Sequence, residues 1–195
     1  MPIKIDKARI VDFVILTFRW YLAYYMIDYG WGKIIGEQFG VHDPGLLEKP
    51  VKSVDKFYLA WHLFGLDRTF DIVVGSMQII GAVLIVVNRT VLLGALFLLP
   101  ILFQIFLIDI AFTTTIFGTA LPVRLAGMIL ADLLILFYYK DRMLKVWKLI
   151  TSETTTRFKY KWWIFLLLPL LGFLTDFVFS ILSYPVRLFF NWLMH

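Results

Sequence analysis

The sequence contains no cysteine. That excludes disulfide scaffolds, thiol–disulfide relays, cysteine-ligated zinc and cysteine-bound iron–sulfur clusters. Histidine is scarce: His42, His62 and His195 are the full set. None of them falls inside an apolar run, which argues against a haem held between paired membrane histidines. Gly-rich phosphate loops and serine–histidine constellations are also missing. Asp109 and Asp132 are too few to argue for a metal, since sites for hard cations use more oxygen ligands; no metal is expected. Charged residues make up 17% of the chain, against about 25% in ordinary soluble domains.

What is abundant is apolar. The hydrophobic fraction is 61% and the mean hydropathy +0.81, whereas soluble domains hold roughly 45–50%. A chain of 195 residues could not hide that much apolar surface from water, so the composition specifies a polytopic membrane protein rather than a soluble or disordered one. The formal charge of +5 first suggests nucleic acid. The basic residues border apolar runs, however, which is the positive-inside pattern.

Five runs approach the roughly 20 residues a helix needs to cross ~30 Å of hydrocarbon. They are Val11–Tyr29, Phe70–Val87, Val91–Phe112, Val123–Tyr139 and Trp162–Leu182. Pro100 and Pro169 lie inside runs, where a bilayer tolerates them. The first run is too long for a cleavable signal peptide and has no small-residue cleavage site after it. Lys4, Lys7, Arg9, Arg89 and the seven basic residues between Lys140 and Lys161 fall on one side. Lys33, Lys49, Lys52, Lys56 and Arg68 fall on the other, balanced by Glu37, Asp43, Glu48, Asp55 and Asp67. The N-terminus is therefore expected in the cytoplasm and the chain in a bacterial inner membrane.

The connections Asn88–Thr90 and Thr113–Leu121 are short, which makes antiparallel neighbours. The expected fold is all-α: a four-helix up-down transmembrane bundle over residues 1–139, with an outer loop at 30–69. A basic cytoplasmic interfacial segment follows at 140–161. A C-terminal hydrophobic helix and tail occupy 162–195, and that helix either spans or lies at the interface. Within the outer loop, Phe57–Phe64 is aromatic but too short to span, and reads as an interfacial or re-entrant cap on the outer mouth. Lys140–Ile150 alternates basic and apolar residues at helical spacing. Arg157–Trp163 mixes cations with aromatics, a pattern shared by RNA binders and by helices lying on anionic lipid. The tryptophans and the membrane context favour lipid, so no nucleic acid is expected. The same segment offers a surface to a membrane or cytoplasmic protein partner.

Polar groups inside the runs need partners, because a charge at the bilayer centre costs roughly 2.5–3.5 kcal/mol even on mild scales. Counting from the outer ends places Arg19, Gln78, Gln104 and Asp132 about 12–15 Å deep. They read as a structural midplane layer, with Arg19–Asp132 as its ion pair. Nearer the outer face lie Tyr21, Tyr25, Asp28, Asp71, Asp109 and Arg124, with Lys33 close by. One reading makes all of these polar glue between helices. The other converges them, with Gln78, Trp61 and His62, on an outer polar pocket able to take a quinone, a lipid headgroup or a proton path.

The same residues carry a family resemblance. Arg19, Tyr25, Gly30 and Lys33, Gln38-Phe39, Leu59-Ala60-Trp61, Gly75/Gln78/Gly81, Arg89-Thr90 with Leu93-Gly94-Ala95-Leu96, and Pro122-Val123-Arg124-Leu125 resemble DoxX-family integral membrane proteins of the Bacteroidota type over residues 10–140. The chain departs from that pattern at Gln78, where relatives often carry glutamate, and in its fifth run. The resemblance implies a four-helix membrane bundle, a partner in quinone-linked redox complexes such as thiosulfate:quinone oxidoreductase. Three functions follow: the membrane subunit or anchor of such a complex, a small transporter or channel-like module, or a non-catalytic assembly factor. None of them makes the chain an enzyme on its own, and no cofactor is evident in the residues beyond a quinone or lipid.

Overall fold

The computed structural model describes residues 6–40, 45, 48–113, 120–152 and 158–193. Lys4, His42, Asp43, Arg157, His195 and most of the connection at 113–121 lie outside them. Among the described residues all regular structure is helical: α1 (Lys7–Ile35), α2 (Lys56–Phe64), α3 (Arg68–Val86), α4 (Val91–Phe112), α5 (Ala120–Tyr138), α6 (Lys140–Thr151) and α7 (Trp162–Leu193), with a 3₁₀ turn at Val51–Ser53. Five of these, α1, α3, α4, α5 and the Trp162–Pro185 part of α7, are long and apolar enough to cross a membrane. The chain is a multi-pass membrane protein.

Two compact units divide it, Met1–Leu149 and Ile150–His195. α6 continues from α5 with a break at one residue, and Met143 packs against the first unit's core. In that unit α1 packs on α3 and α5, and α4 packs on α3 and α5. The core is Leu22, Met26, Ala82, Ile85, Ala95, Leu98, Leu102, Met128 and Ile135 with their neighbours. The apolar side chains on the outer faces are exposed, as lipid contact requires.

Helix ends follow local chemistry. Asp6, Asp55 and Asp67 cap α1, α2 and α3 with side-chain carboxylates on backbone N–H groups, each satisfying one orphan donor of a first turn. Gly36, at φ 80°, ends α1 in the left-handed conformation, which an L side chain adopts only with strain. The four-residue spacing of Gly32, Gly36 and Gly40 therefore reflects a turn rather than helix packing; Gly40 also has positive φ. α1 has 29 residues, about 43 Å. It outruns its apolar stretch at both ends.

Small residues and two arginines fix α1 against α3. A Cβ on Gly30 would lie 2.6 Å from the carbonyl oxygen of Gly75, and one on Gly75 would lie 2.5 Å from that of Gly30. Close backbone approach of this kind drives helix association where lipid removes the hydrophobic incentive. On either side of the contact an arginine of one helix caps the C-terminus of the other. Arg19 of α1 donates to the carbonyls of Ile85 (2.8 Å) and Val86 and to Asn88 Oδ1 (2.8 Å). Arg68 of α3 donates to the carbonyls of Lys33 (3.1 Å) and Ile34. A helix C-terminus leaves four carbonyls unpaired and carries partial negative charge, so a guanidinium is well placed there.

Candidate functional site

The polar centre of the first unit is Lys33. It sits in the last turn of α1, where a cation complements the helix dipole, and is only 3% exposed. After Gly36 the chain turns back, with Glu37 and Gln38 N–H groups both donating to the Gly32 carbonyl (2.9 and 3.2 Å). That return brings Gln38 over the lysine. The ammonium donates to Gln38 Oε1 at 2.7 Å and to the Tyr29 carbonyl at 3.4 Å. It also stands 5.0 Å from the Phe39 ring centroid and 5.9 Å from that of Tyr29. The negative charges acting on it are Asp109 of α4 and Asp71 of α3. Asp71 is itself buried and 3.9 Å from Arg68. Asp109 is 6% exposed. A buried ammonium needs such compensation, since an unpaired ion in low dielectric costs several kcal/mol.

Lys33 and Asp109 form one pole of a cavity of about 580 Å³, within the ~300–1,000 Å³ range of ligand pockets. Its roof is aromatic: Phe39, with Trp61 and Phe64 of α2. These rings pack on one another, Phe39 to Trp61 at 6.1 Å and to Phe64 at 5.4 Å. The roof is tied down at two points. Lys56 Nζ donates to the Ala111 carbonyl at 2.7 Å, and Gly40 N–H donates to the Trp61 carbonyl at 3.0 Å. One wall is Phe70, Val74 and Met77 of α3, at helical spacing. The facing wall is a double stripe of α4, Leu96/Pro100/Gln104 beside Phe97/Ile101/Ile105/Ile108. Leu121 and Leu125 of α5 close the inner side. Phe70, Met77, Leu96, Pro100 and Gln104 are exposed, so the cavity opens sideways between α3 and α4.

The residues expected to converge on one pocket fall into separate places. Trp61 and Asp109 line the cavity. His62 is half-exposed on α2 and does not line it. Tyr21, Tyr25 and Arg124 build a ladder between α1 and α5: Tyr21 and Tyr25 meet edge-on at 5.2 Å, Arg124 lies 5.2 Å over the Tyr25 ring and donates to Tyr29 Oη at 3.1 Å. Asp28 is exposed one helix face away. Gln78 is fully buried in the core, its amide 3.9 Å from Met26 Sδ and its Oε1 without a partner. Asp71 touches the site only as a charge near Lys33.

The midplane layer does not form as expected either. Arg19 and Asp132 make no ion pair: the guanidinium is committed to the end of α3, and both oxygens of the fully buried Asp132 carboxyl lack hydrogen-bond partners. The depth match holds for Arg19 and Asp132 alone, since Arg19 reaches Ile85, seven residues past Gln78 on α3, and the Gly81–Leu98 and Gly94–Ile85 contacts set Gln104 farther still from that level. Tyr29–Arg124 and Asp12–Tyr138 contacts bracket Arg19 and Asp132 on the facing helices. The two side chains differ in direction, not in depth. Gln104 is exposed on the cavity rim, away from the other three.

Lys33, Gln38, Tyr29 and Gln104 belong to the cavity, and the sequence placed none of them at its centre. The available signal was the Lys33–Gln38-Phe39 spacing after the last apolar turn, which a Gly turn folds back.

Among known proteins, the chain is 35% identical over 96 residues to "Uncharacterized protein YwoB" of Bacillus subtilis (strain 168). That alignment takes in 49% of this chain and spans 60% of the length of YwoB. No protein-family model matches the chain, and no solved structure matches it.

Proposed function

We propose that the protein is a DoxX-like inner-membrane protein that holds a membrane-soluble amphipathic molecule, a quinone or a lipid, in the Lys33–Asp109 cavity. In this reading α1, α3, α4 and α5 form an up-down transmembrane bundle, α7 is a further span, and the cavity lies in the outer half of the bilayer. The observation that carries it is a buried ammonium and a buried carboxylate at one pole of a cavity whose other walls are aliphatic and aromatic. A space filled only by acyl chains would not need that pole, and a purely structural charge cluster would not need the space. The polar head of a ligand would meet Lys33 and Asp109, and its apolar part would run between Met77 and Ile101. With no cysteine of its own, the protein would serve a redox complex as the subunit that presents the ligand, with electrons supplied by a partner.

Titration of a decyl-substituted 1,4-benzoquinone into nanodisc-held protein tests this. Lys33→Met is expected to weaken binding at least tenfold, the loss for one charge-assisted hydrogen bond to a quinone oxygen in an apolar site. It should also lower the melting temperature, because buried Asp71 and Asp109 lose their countercharge. Asp109→Asn, which removes a group that accepts but cannot donate to a quinone, is expected to weaken binding less. Equal affinity in all three proteins, or loss of folded protein in place of affinity, would leave the pair as a structural link only.

The orientation has its own test. An extracytoplasmic reporter fused after Thr113 and a cytoplasmic reporter fused after Ser152 are expected to be active, and the exchanged pair silent, because the basic residues gather on the side of the N-terminus. The opposite pattern would place the cavity in the inner leaflet.

A further inference from the structure

Pro100 stands in the middle of α4 and on the cavity wall. Proline has no N–H, so the Leu96 carbonyl four residues earlier receives no helical donor from it. Leu96, Pro100 and Gln104 follow one another at i, i+4 and i+8, on one face of the helix, and all three line the cavity. Leu96 is 47% exposed. A helical side chain leans toward the N-terminus and covers the turn before its own Cα, so the Gln104 amide lies over the Pro100 turn. That amide has no hydrogen-bond partner among the described residues. A carbonyl without its helical donor and a primary amide without a partner thus share one short stretch of an otherwise apolar wall. In hydrocarbon each such group costs free energy until something bonds to it.

We infer that this stretch is a second polar subsite of the cavity, and that Gln104 selects ligands whose head carries two oxygens rather than one. The inference rests on the ligand-binding reading of the Lys33–Asp109 pole. Gln104 is five residues from Asp109 on α4, about 7.5 Å along the axis. A head group bonded at Lys33–Asp109 therefore reaches the Gln104 amide with a second oxygen on its far side, and its chain leaves through the opening between α3 and α4. The subsite serves either kind of oxygen. A carbonyl accepts from the Gln104 NH₂, and a hydroxyl donates to the Gln104 Oε1. Access from the side, out of the bilayer, follows from the exposed rim at Met77, Leu96 and Gln104. Neither the core nor the helix–helix contacts use these groups, so the subsite can be altered without touching the fold.

The test compares two probes with the same decyl chain, the 1,4-benzoquinone used above and 4-decylphenol, which has a single oxygen. Both are titrated into nanodisc-held wild type, Gln104→Leu and Lys33→Met. Wild type is expected to bind the quinone about tenfold more tightly than the phenol, the worth of one hydrogen bond in an apolar site. Gln104→Leu should erase that gap by weakening the quinone alone, and Gln104→Asn should restore part of it. Lys33→Met should weaken both probes. If Gln104→Leu leaves the quinone affinity unchanged, or weakens both probes equally, the second subsite is wrong while the cavity stands. If wild type binds neither probe, the cavity reading fails and takes the subsite with it.

Discussion

Gly75→Leu is expected to abolish folded protein, and Gly75→Ala to lower stability by about 2 kcal/mol. The reason is geometric. A Cβ at this position meets the Gly30 carbonyl oxygen at 2.5 Å and Ile34 Cγ1 at 2.9 Å. The isoleucine can turn aside, but the carbonyl belongs to the backbone of α1 and cannot. The helices would have to separate, and both arginine caps that flank the contact would lengthen. Gly30→Ala should cost a similar amount, since its Cβ meets the Gly75 carbonyl and Ile79. Gly127→Ala is the matched control: nothing lies within 4 Å of its Cβ position, so the change should be neutral or stabilise by up to about 1 kcal/mol through helix propensity. Thermal melting in detergent checks all of these. Equal melting temperatures for Gly75→Ala and Gly127→Ala would show that the α1–α3 approach is looser than described.

Arg19 and Asp132 are expected to respond with opposite signs. Arg19→Leu removes bonds to Ile85, Val86 and Asn88 and leaves the end of α3 uncapped. Hydrogen bonds to charged groups contribute about 1.5–3 kcal/mol each, offset by the cost of burying the guanidinium, so a net loss on the order of 3 kcal/mol follows. Asp132→Leu removes a buried carboxyl with no partner and should leave stability unchanged or raise it. The double variant should then melt near the sum of the two effects, because the residues do not touch. Recovery in the double variant beyond that sum would mean that the two side chains pair after all.

The contrast between these two residues shows what the sequence could and could not carry. Depth was legible in part: helices rise by a fixed step, so counting residues set Arg19 level with Asp132, as the flanking Tyr29–Arg124 and Asp12–Tyr138 contacts agree. Counting from unequal run ends misplaced Gln78 and Gln104, which lie nearer the Lys33 end than Arg19 does. Direction was not. Which neighbour a side chain faces depends on how each helix is rotated, and α1 turns Arg19 toward α3. The spans were legible because hydrocarbon demands long apolar runs; α4 begins and ends where its run does. α1 exceeds its run, because the helix continues through residues 30–35 to the left-handed turn at Gly36, and that extension carries Lys33 into the site. The cap at Phe57–Phe64 could be read from its aromatics and its length. The cavity's pole could not, since Lys33 and Gln38 meet only through the left-handed turn at Gly36. Nor could the scatter of the tyrosines: Tyr21 and Tyr25 share a helix face with Tyr29, but that face looks at α5, and only Tyr29 reaches the cavity.

A ligand held at Lys33–Asp109 is expected to occupy the space between α3 and α4. Native mass spectrometry of protein extracted gently from its own membrane tests it most directly, comparing wild type with Ile101→Trp, which fills the apolar part of the cavity, and with Lys33→Met, which removes its pole. One small amphipathic molecule is expected to stay on the wild type and to be lost from both variants, with all three proteins folded. Retention of the same molecule on all three, or on none, would contradict it.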